Sequence, residues 1–98
     1  MTIEKQLNGV AATIVVTGRL DTATAPELEK VVDEIFVGLK ELIFDMTNLE
    51  YVSSAGLRVI LKAQKIMNAQ GSMKLTGVND NIMEVFDITG FLDILTIE

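Results

Sequence analysis

Apolar residues recur along this chain with two alternating periods, which predict strands and helices in turn. Thr2–Leu7 and Ala11–Thr17 are strand-like segments on either side of Asn8-Gly9, a common turn pair, and together they predict an antiparallel hairpin. Thr24 and Glu27 match a capping box, in which a hydroxyl and a carboxylate bond free N–H groups at a helix start. The apolar residues that follow have helical spacing and predict one buried face: Leu28, Val31, Val32, Ile35, Phe36 and Leu39.

The remainder of the chain continues this alternation. It predicts, in order, a buried strand at Glu41–Met46, a loop at 47–56 that runs into a helix from about 55 to 69, a strand at Ser72–Val78, a helix at 80–88 and a strand at Leu92–Ile97. The order β-β-α-β-α-β-α-β predicts an α/β fold with a mixed, mostly parallel sheet, an N-terminal hairpin and helices packed mainly on one face. Chains of 98 residues rarely divide, so residues 1–98 are expected to form one domain.

The composition removes several classes of function. The chain contains no His and no Cys, so it lacks the usual general base, zinc ligand and thiol nucleophile, and we predict no catalytic residue, metal or cofactor. Its net charge of −6 has the wrong sign for direct binding to nucleic acid or to an anionic membrane surface. The amino terminus shows no targeting signal, and no apolar run approaches the roughly 20 residues of a membrane span. We therefore expect a cytoplasmic protein that is not an enzyme.

The segment Ser53-Ser54-Ala55-Gly56 lies where a predicted strand is followed by a helix. The first N–H groups of a helix have no partner within it, so a serine hydroxyl can cap them. A phosphate at the same place would be stabilised by those N–H groups and by the helix dipole. Ala55 and Gly56 are small and are expected to let a partner approach the hydroxyl. Both roles, helix cap and phosphate carrier, are compatible with the pattern.

Charged residues accompany this junction. Asp21 and Asp45 each follow the apolar run of a strand, which predicts that they lie at the same end of the sheet, where they would orient a hydroxyl, bind Mg²⁺ or repel a phosphate. Alternatively, each carboxylate accepts hydrogen bonds from N–H groups of its own loop. Arg58, Lys62 and Lys65 share one sector of the second predicted helix. This stripe either meets an acidic partner or phosphate oxygens, or is a solvated helix face.

Three segments of the chain resemble the STAS domain, specifically the bacterial anti-sigma-factor antagonists. Gly18, Leu20 and Asp21 match the first motif of that family. The family's motif at the strand-to-helix junction is matched by Asp45, Met46, Thr47, Leu49, Tyr51, Val52, Ser54, Ala55, Gly56 and Leu57. Residues 85–95, VFDITGFLDIL, resemble its terminal stretch. The chain departs from the family at Ser53, where Asp is most common, and this places a second hydroxyl beside Ser54.

The resemblance implies a phosphorylation switch rather than an enzyme. In that family the unphosphorylated antagonist binds an anti-sigma factor, itself an ATP-dependent serine kinase, and so frees the sigma factor. Phosphorylation breaks the complex, and a metal-dependent serine phosphatase restores the antagonist. By this resemblance Ser54 is the phosphorylation site and Asp21 lies near it. The predicted partner-binding residues are Asp21, Thr22, Ser53, Ser54, Ala55, Gly56, Leu57 and Arg58.

Two other functions stay open at this point. Some STAS domains have no phosphorylation switch, which would make this chain a constitutive scaffold subunit of a transport or stress-signalling complex. A small-molecule or nucleotide binder with weak enzymatic activity is the third hypothesis. The chain contains neither the P-loop signature nor G-x-G-x-x-G, so a nucleotide site would lack its usual sequence pattern.

Overall fold

Four strands form one mixed sheet in the computed structural model, which describes all residues 1–98. β1 (Thr2–Asn8) and β2 (Ala11–Leu20) form the antiparallel hairpin. β3 (Glu41–Val52) lies parallel to β2, and β4 (Ser72–Thr76) lies parallel to β3. The strand order in space is β1-β2-β3-β4, so each strand pairs with its neighbours in sequence.

Three helices cover one face of this sheet: α1 (Ala25–Ile35), α2 (Ser54–Gln70) and α3 (Asp80–Thr89). Side chains along the strands alternate between the two faces of the sheet, and those on the helix side are the buried ones. In β2, for example, Ile14 is fully buried on the helix side, whereas Val15 on the other face is half-buried. The predicted α/β fold, with its N-terminal hairpin, mostly parallel pairing and helices on one face, is confirmed. No helix is both long and apolar enough to span a membrane.

The core lies between the sheet and the helices and is mostly aliphatic. Phe44 of β3 and Phe86 of α3 are its two fully buried aromatic residues. Around them pack fully buried aliphatic side chains from every element except β1: Ile14, Leu20, Leu28, Leu42, Met46, Leu49, Ile60, Met67, Leu75 and Ile82. Burying this apolar surface is the main force that holds the helices on the sheet.

The third strand is longer than the pattern predicted. Residues 47–52, expected to be a loop, continue β3 and pair with the second half of β2, where Leu20 aligns with Val52. Register shifts occur between Val15 and Thr17 and between Gly18 and Arg19. These irregularities break the two-residue alternation by which a strand is recognised, so the segment had no strand signature.

The predicted strand at Leu92–Ile97 is wrong in most of its length. Gly90, with φ of 80°, ends α3, and Phe91–Asp93 form a short 3₁₀ helix. Only Ile97 makes a bridge to the sheet, parallel to Leu75 of β4. The turn at Gly90 and the 3₁₀ helix that follows it occupy residues 90–93, so too few residues are left to form a full strand.

Candidate functional site

The carboxyl ends of β2 and β3 bring two loops together. Leu20 aligns with Val52, and the N–H of Ser53 donates to the carbonyl of Leu20 at 2.8 Å. The residues that follow, 21–24 in one segment and 53–54 in the other, therefore leave the sheet side by side. The first of these segments leads into α1 and the second into α2.

Ser53 and Ser54 occupy different environments. Ser53 is the N-cap of α2, and its Oγ accepts a hydrogen bond from the N–H of Gly56 at 3.3 Å. Ser54 is the first residue of the helix, is exposed, and makes no side-chain hydrogen bond within the protein. The capping role therefore belongs to Ser53, and the free hydroxyl at the positive end of the helix dipole belongs to Ser54.

Gly56 determines how closely α2 approaches the sheet. A Cβ built at this position would lie 2.6 Å from Cγ of Leu20 and 3.0 Å from Cγ2 of Val52. This corrects the expectation that Gly56 makes room for a partner, because it faces the core. Leu57 is also buried, at 7% exposure. Both residues were predicted as partner contacts, but they pack the first turn of α2 against the core.

Asp21 organises the loop that precedes α1. Its Oδ1 accepts hydrogen bonds from the N–H groups of Thr24, at 3.1 Å, and Ala23, at 3.0 Å. Hydrogen bonding from Thr24, first through its backbone and then through its side chain, lowers the pKa of Asp21, with smaller contributions from Ala23 and the charge of Arg19. Oδ2 has no hydrogen-bond partner within the protein, so it stays available as an acceptor on the loop. The alternative in which Asp21 bonds its own loop is therefore correct for one of its two oxygens.

The capping box predicted at Thr24 is wrong. Thr24 does occupy the N-cap of α1, but its hydroxyl bonds no helix N–H. Instead it donates to the carbonyl of Arg19 and accepts from the N–H of Asp21, both at 2.8 Å. The hydroxyl therefore closes the Asp21 loop against the end of β2.

Asp45 does not join this site. It lies within β3, aligned with Val15, and its Oδ1 accepts from the hydroxyl of Thr47 at 2.7 Å and from the N–H of Thr47 at 3.0 Å. The hydrogen bond from the Thr47 side chain is the main cause of its lowered pKa. At about 3.3 Å per residue, the rest of β3 places Asp45 roughly 20 Å from the strand end. The prediction that Asp21 and Asp45 lie at one end is wrong, and no three acidic side chains form a metal site.

The predicted basic stripe divides into two parts. Nζ of Lys62 pairs with Oδ1 of Asp33 at 2.9 Å and with Oε2 of Glu29 at 3.3 Å, so this residue joins α2 to α1. The bond with Asp33 is the main cause that raises the pKa of Lys62. Arg58 and Lys65 form no ion pair. Lys62 therefore has a structural role, and two cations are left for other contacts.

Arg58 is the cation that belongs to the site. It is exposed and lies four residues, about one helical turn, after Ser54. It lines a shallow groove of about 150 Å³ between α1 and α2, together with Thr22, Pro26 and Ala55. The groove connects the Asp21 loop with the first turn of α2.

One contact at this site was not predicted from sequence. The guanidinium of Arg19 lies 4.2 Å from the ring centroid of Tyr51, a distance at which a cation–π interaction stabilises both side chains. Arg19 aligns with Tyr51 across β2 and β3. The pair was missed because Tyr51 was assigned to a loop, where it had no cross-strand neighbour.

The largest surface depression lies apart from Ser54. Its volume is about 480 Å³, and its lining includes Thr17, Thr47, Glu50 and Asn79. It lies where β3 continues past the end of β4. No basic side chain lines it.

This chain belongs to the STAS domain family, which matches residues 2–98. It is 35% identical over 82 residues to BtrV of Bordetella bronchiseptica, whose name describes a candidate anti-sigma factor antagonist; the match covers 82% of this chain and 71% of BtrV. It is 33% identical over 82 residues to the anti-sigma-B factor antagonist of Staphylococcus aureus, covering 82% and 76%. In fold it resembles the anti-sigma factor antagonist SpoIIAA in its unphosphorylated form, with a TM-score of 0.80 at 14% identity over 99% of this chain and 87% of that one. Phosphorylated SpoIIAA of Bacillus gives a TM-score of 0.78 at 15% identity, covering 99% and 91%.

Proposed function

We propose that this STAS domain is an anti-sigma factor antagonist, a binding regulator rather than an enzyme, and that residues 1–98 act as one unit. Its unphosphorylated form binds an anti-sigma factor that is an ATP-dependent serine kinase, and the sigma factor is released. The observation that carries the proposal is the exposed, unbonded hydroxyl of Ser54 beside the Asp21 loop. The names of BtrV and the Staphylococcus aureus relative support it.

Phosphorylation of Ser54 would act on binding rather than on the fold. The cap of α2 is made by Ser53, so the helix start does not depend on the Ser54 hydroxyl. A phosphate adds about −1.5 to −2 of charge, and the positive helix end tolerates that charge in the free domain. In the complex the same charge would lie in the contact surface, where an unpaired, desolvated phosphate is costly. A structure of SpoIIAA in its phosphorylated form supports the idea that a STAS fold of this kind carries the modification.

The proposed contact surface consists of the exposed residues Thr22, Ser54 and Arg58 and the half-buried residues between them. Thr22 and Oδ2 of Asp21 lie on one side, Ser53 and Ala55 flank the hydroxyl, and Arg58 lies one turn further on. Arg58 is free of internal ion pairs, so it is available to an acidic group of the kinase or, after transfer, to the phosphate. A metal-dependent serine phosphatase would then return the domain to its binding form.

The test is the affinity for the cognate anti-sigma factor kinase, measured by calorimetry. We expect Ser54→Asp to weaken binding at least tenfold, equivalent to about 1.4 kcal/mol. Ser72→Asp is the matched control, because it adds the same charge at an exposed serine at the amino end of β4. Equal affinities for Ser54→Asp and the unmodified domain would favour a constitutive scaffold instead. Equal losses in the two variants would mean that net charge alone controls binding.

A further inference from the structure

The acidity of this chain is concentrated in its last quarter. Residues 75–98 contain five carboxylates and no Lys or Arg, whereas residues 1–74 contain nine carboxylates and eight basic side chains. Glu98 pairs with Lys74 at 3.2 Å. The other four carboxylates of the segment, Asp80, Glu84, Asp87 and Asp93, form no ion pair. The negative charge of the domain is therefore a local feature of α3 and the turn that follows it.

Exposed apolar side chains lie in the same segment. Ile88 is 77% exposed, Ile94 47% and Leu92 38%, all within seven consecutive residues. With Glu84, Asp87 and Asp93, these residues define what we call the α3 end surface. Scattered exposed apolar residues are ordinary, but a group of large ones with a charged border is typical of a binding surface.

One of the charges of α3, that of Asp87, is placed against the helix dipole, whereas Asp80 in the first turn agrees with it. Cations stabilise the carboxyl-terminal turn of a helix and anions destabilise it. Asp87 lies in the last turn of α3, which has no basic residue. A residue that destabilises its own helix, as Asp87 does here, is expected mainly where its charge contributes to function.

This surface lies at the end of the sheet opposite Ser54. α3 begins where Asn79 bonds the carbonyl of Leu49 in the second half of β3. Ile97 then runs parallel to Leu75 of β4, so α3 must carry the chain back toward the amino ends of the strands. Ser54 follows the carboxyl end of β3. The ten residues of α3, at about 1.5 Å each, place its carboxyl end about 15 Å back along the sheet from the edge where Ser54 lies.

We propose that the α3 end surface is a second docking site, and that it binds a basic partner segment with apolar anchor residues. Ile88, Leu92 and Ile94 supply the apolar contact, and the three carboxylates pair with Lys or Arg around it. The same surface of a second copy does not fit, because the two acidic borders would face each other. A site so far from Ser54 lets the domain be held by one partner while the kinase engages the other end.

The proposal is tested with two synthetic amphipathic peptides that share the same leucine positions, one bearing lysines and the other glutamates elsewhere. Added to the 15N-labelled full chain, the lysine peptide should shift the amide signals of residues 84–95, and the glutamate peptide should not. Glu84→Lys with Asp87→Lys should weaken lysine-peptide binding at least tenfold. Glu27→Lys with Glu50→Lys changes net charge equally at other exposed sites and should have a much smaller effect. No binding, or equal losses in both double variants, would overturn the proposal.

The apolar half of the surface has its own control. Ile88→Ser with Leu92→Ser should weaken lysine-peptide binding, whereas Leu7→Ser with Val37→Ser should not, although Leu7 and Val37 are 60% and 80% exposed. Equal effects of the two pairs would contradict a defined site. Ser54→Asp should leave peptide binding unchanged, which separates this test from that of the proposed function. Thermal melts verify that each variant is folded, and Asp87→Lys should raise the melting temperature.

Discussion

The close contact at Gly56 makes a quantitative prediction for Gly56→Ala. In an open helix this change would stabilise the protein by up to about 1 kcal/mol, since alanine favours the helix more than glycine does. Here the added methyl group would lie 2.6 Å from Cγ of Leu20. Leu20 is fully buried, so any displacement of its side chain would press on other core residues. Overpacking a core of this kind costs about 1–3 kcal/mol and the helix gain offsets up to about 1 kcal/mol of that, so we expect a net destabilisation of up to about 2 kcal/mol.

The assay is thermal and urea unfolding followed by far-ultraviolet circular dichroism. For a chain of this length, 1 kcal/mol corresponds to a shift of about 4–8 °C in melting temperature, so Gly56→Ala should lower it measurably. A second measurement uses Leu20→Ala, which itself costs about 2–5 kcal/mol and removes the closest of the atoms that the new methyl group would meet. In that background Gly56→Ala should be neutral or stabilising. The same destabilisation in both backgrounds, or a more stable single variant, would refute the steric explanation.

Three further predictions concern the cap, the ion pair and the loop. Ser53→Ala should cost about 0.5–2 kcal/mol of unfolding free energy because it removes the cap of α2, whereas Ser54→Ala should cost less than about 0.5 kcal/mol; urea titrations of both variants decide this. Lys62→Ala should lower the free energy of unfolding only slightly and lose most of that effect in 1 M salt, because its ion pairs are half-exposed; a large, salt-independent loss would contradict this. The pKa of Asp21 is lowered by folding, so its stabilising contribution is full above the ordinary value of 3.8 and is lost as pH falls through the folded value. Carboxyl 13C titration should therefore give Asp21 a midpoint below 3.8, and a midpoint at or above it would contradict the hydrogen bonding described.

Much of the fold could be predicted because the spacing of apolar residues along the chain indicates which face of each helix or strand is buried. The spacing of Leu28, Val32 and their neighbours located α1. The predicted turn pair Asn8-Gly9 located the hairpin to within one residue, because Asn8 pairs with Ala11 and the turn residues are Gly9 and Val10. The second half of β3 could not be located in this way. Its register shifts against β2 remove the alternation, and whether a polar segment extends a strand depends on a partner distant in sequence.

The same limitation affected the site. Once β3 was assumed to end near Met46, Asp45 was placed at the strand end and Tyr51 in a loop, and both assignments failed together. Which of two adjacent serines caps a helix also depends on where the helix begins, a boundary that sequence patterns locate to within a few residues. The structure begins α2 at Ser54, and this one-residue difference separates a capping serine from an exposed one.

The central claim is that Ser54, and not Ser53, is the modified hydroxyl of the switch. The most direct measurement is incubation of the domain with its cognate anti-sigma factor kinase and ATP, followed by tandem mass spectrometry of the peptide that contains both serines. We expect a single phosphate on Ser54, because Ser53 is half-buried and bonded to the N–H of Gly56. Ser54→Ala should abolish labelling, whereas Ser53→Ala should retain it. Phosphate confined to Ser53, or no phosphate on either serine, would contradict the assignment of Ser54.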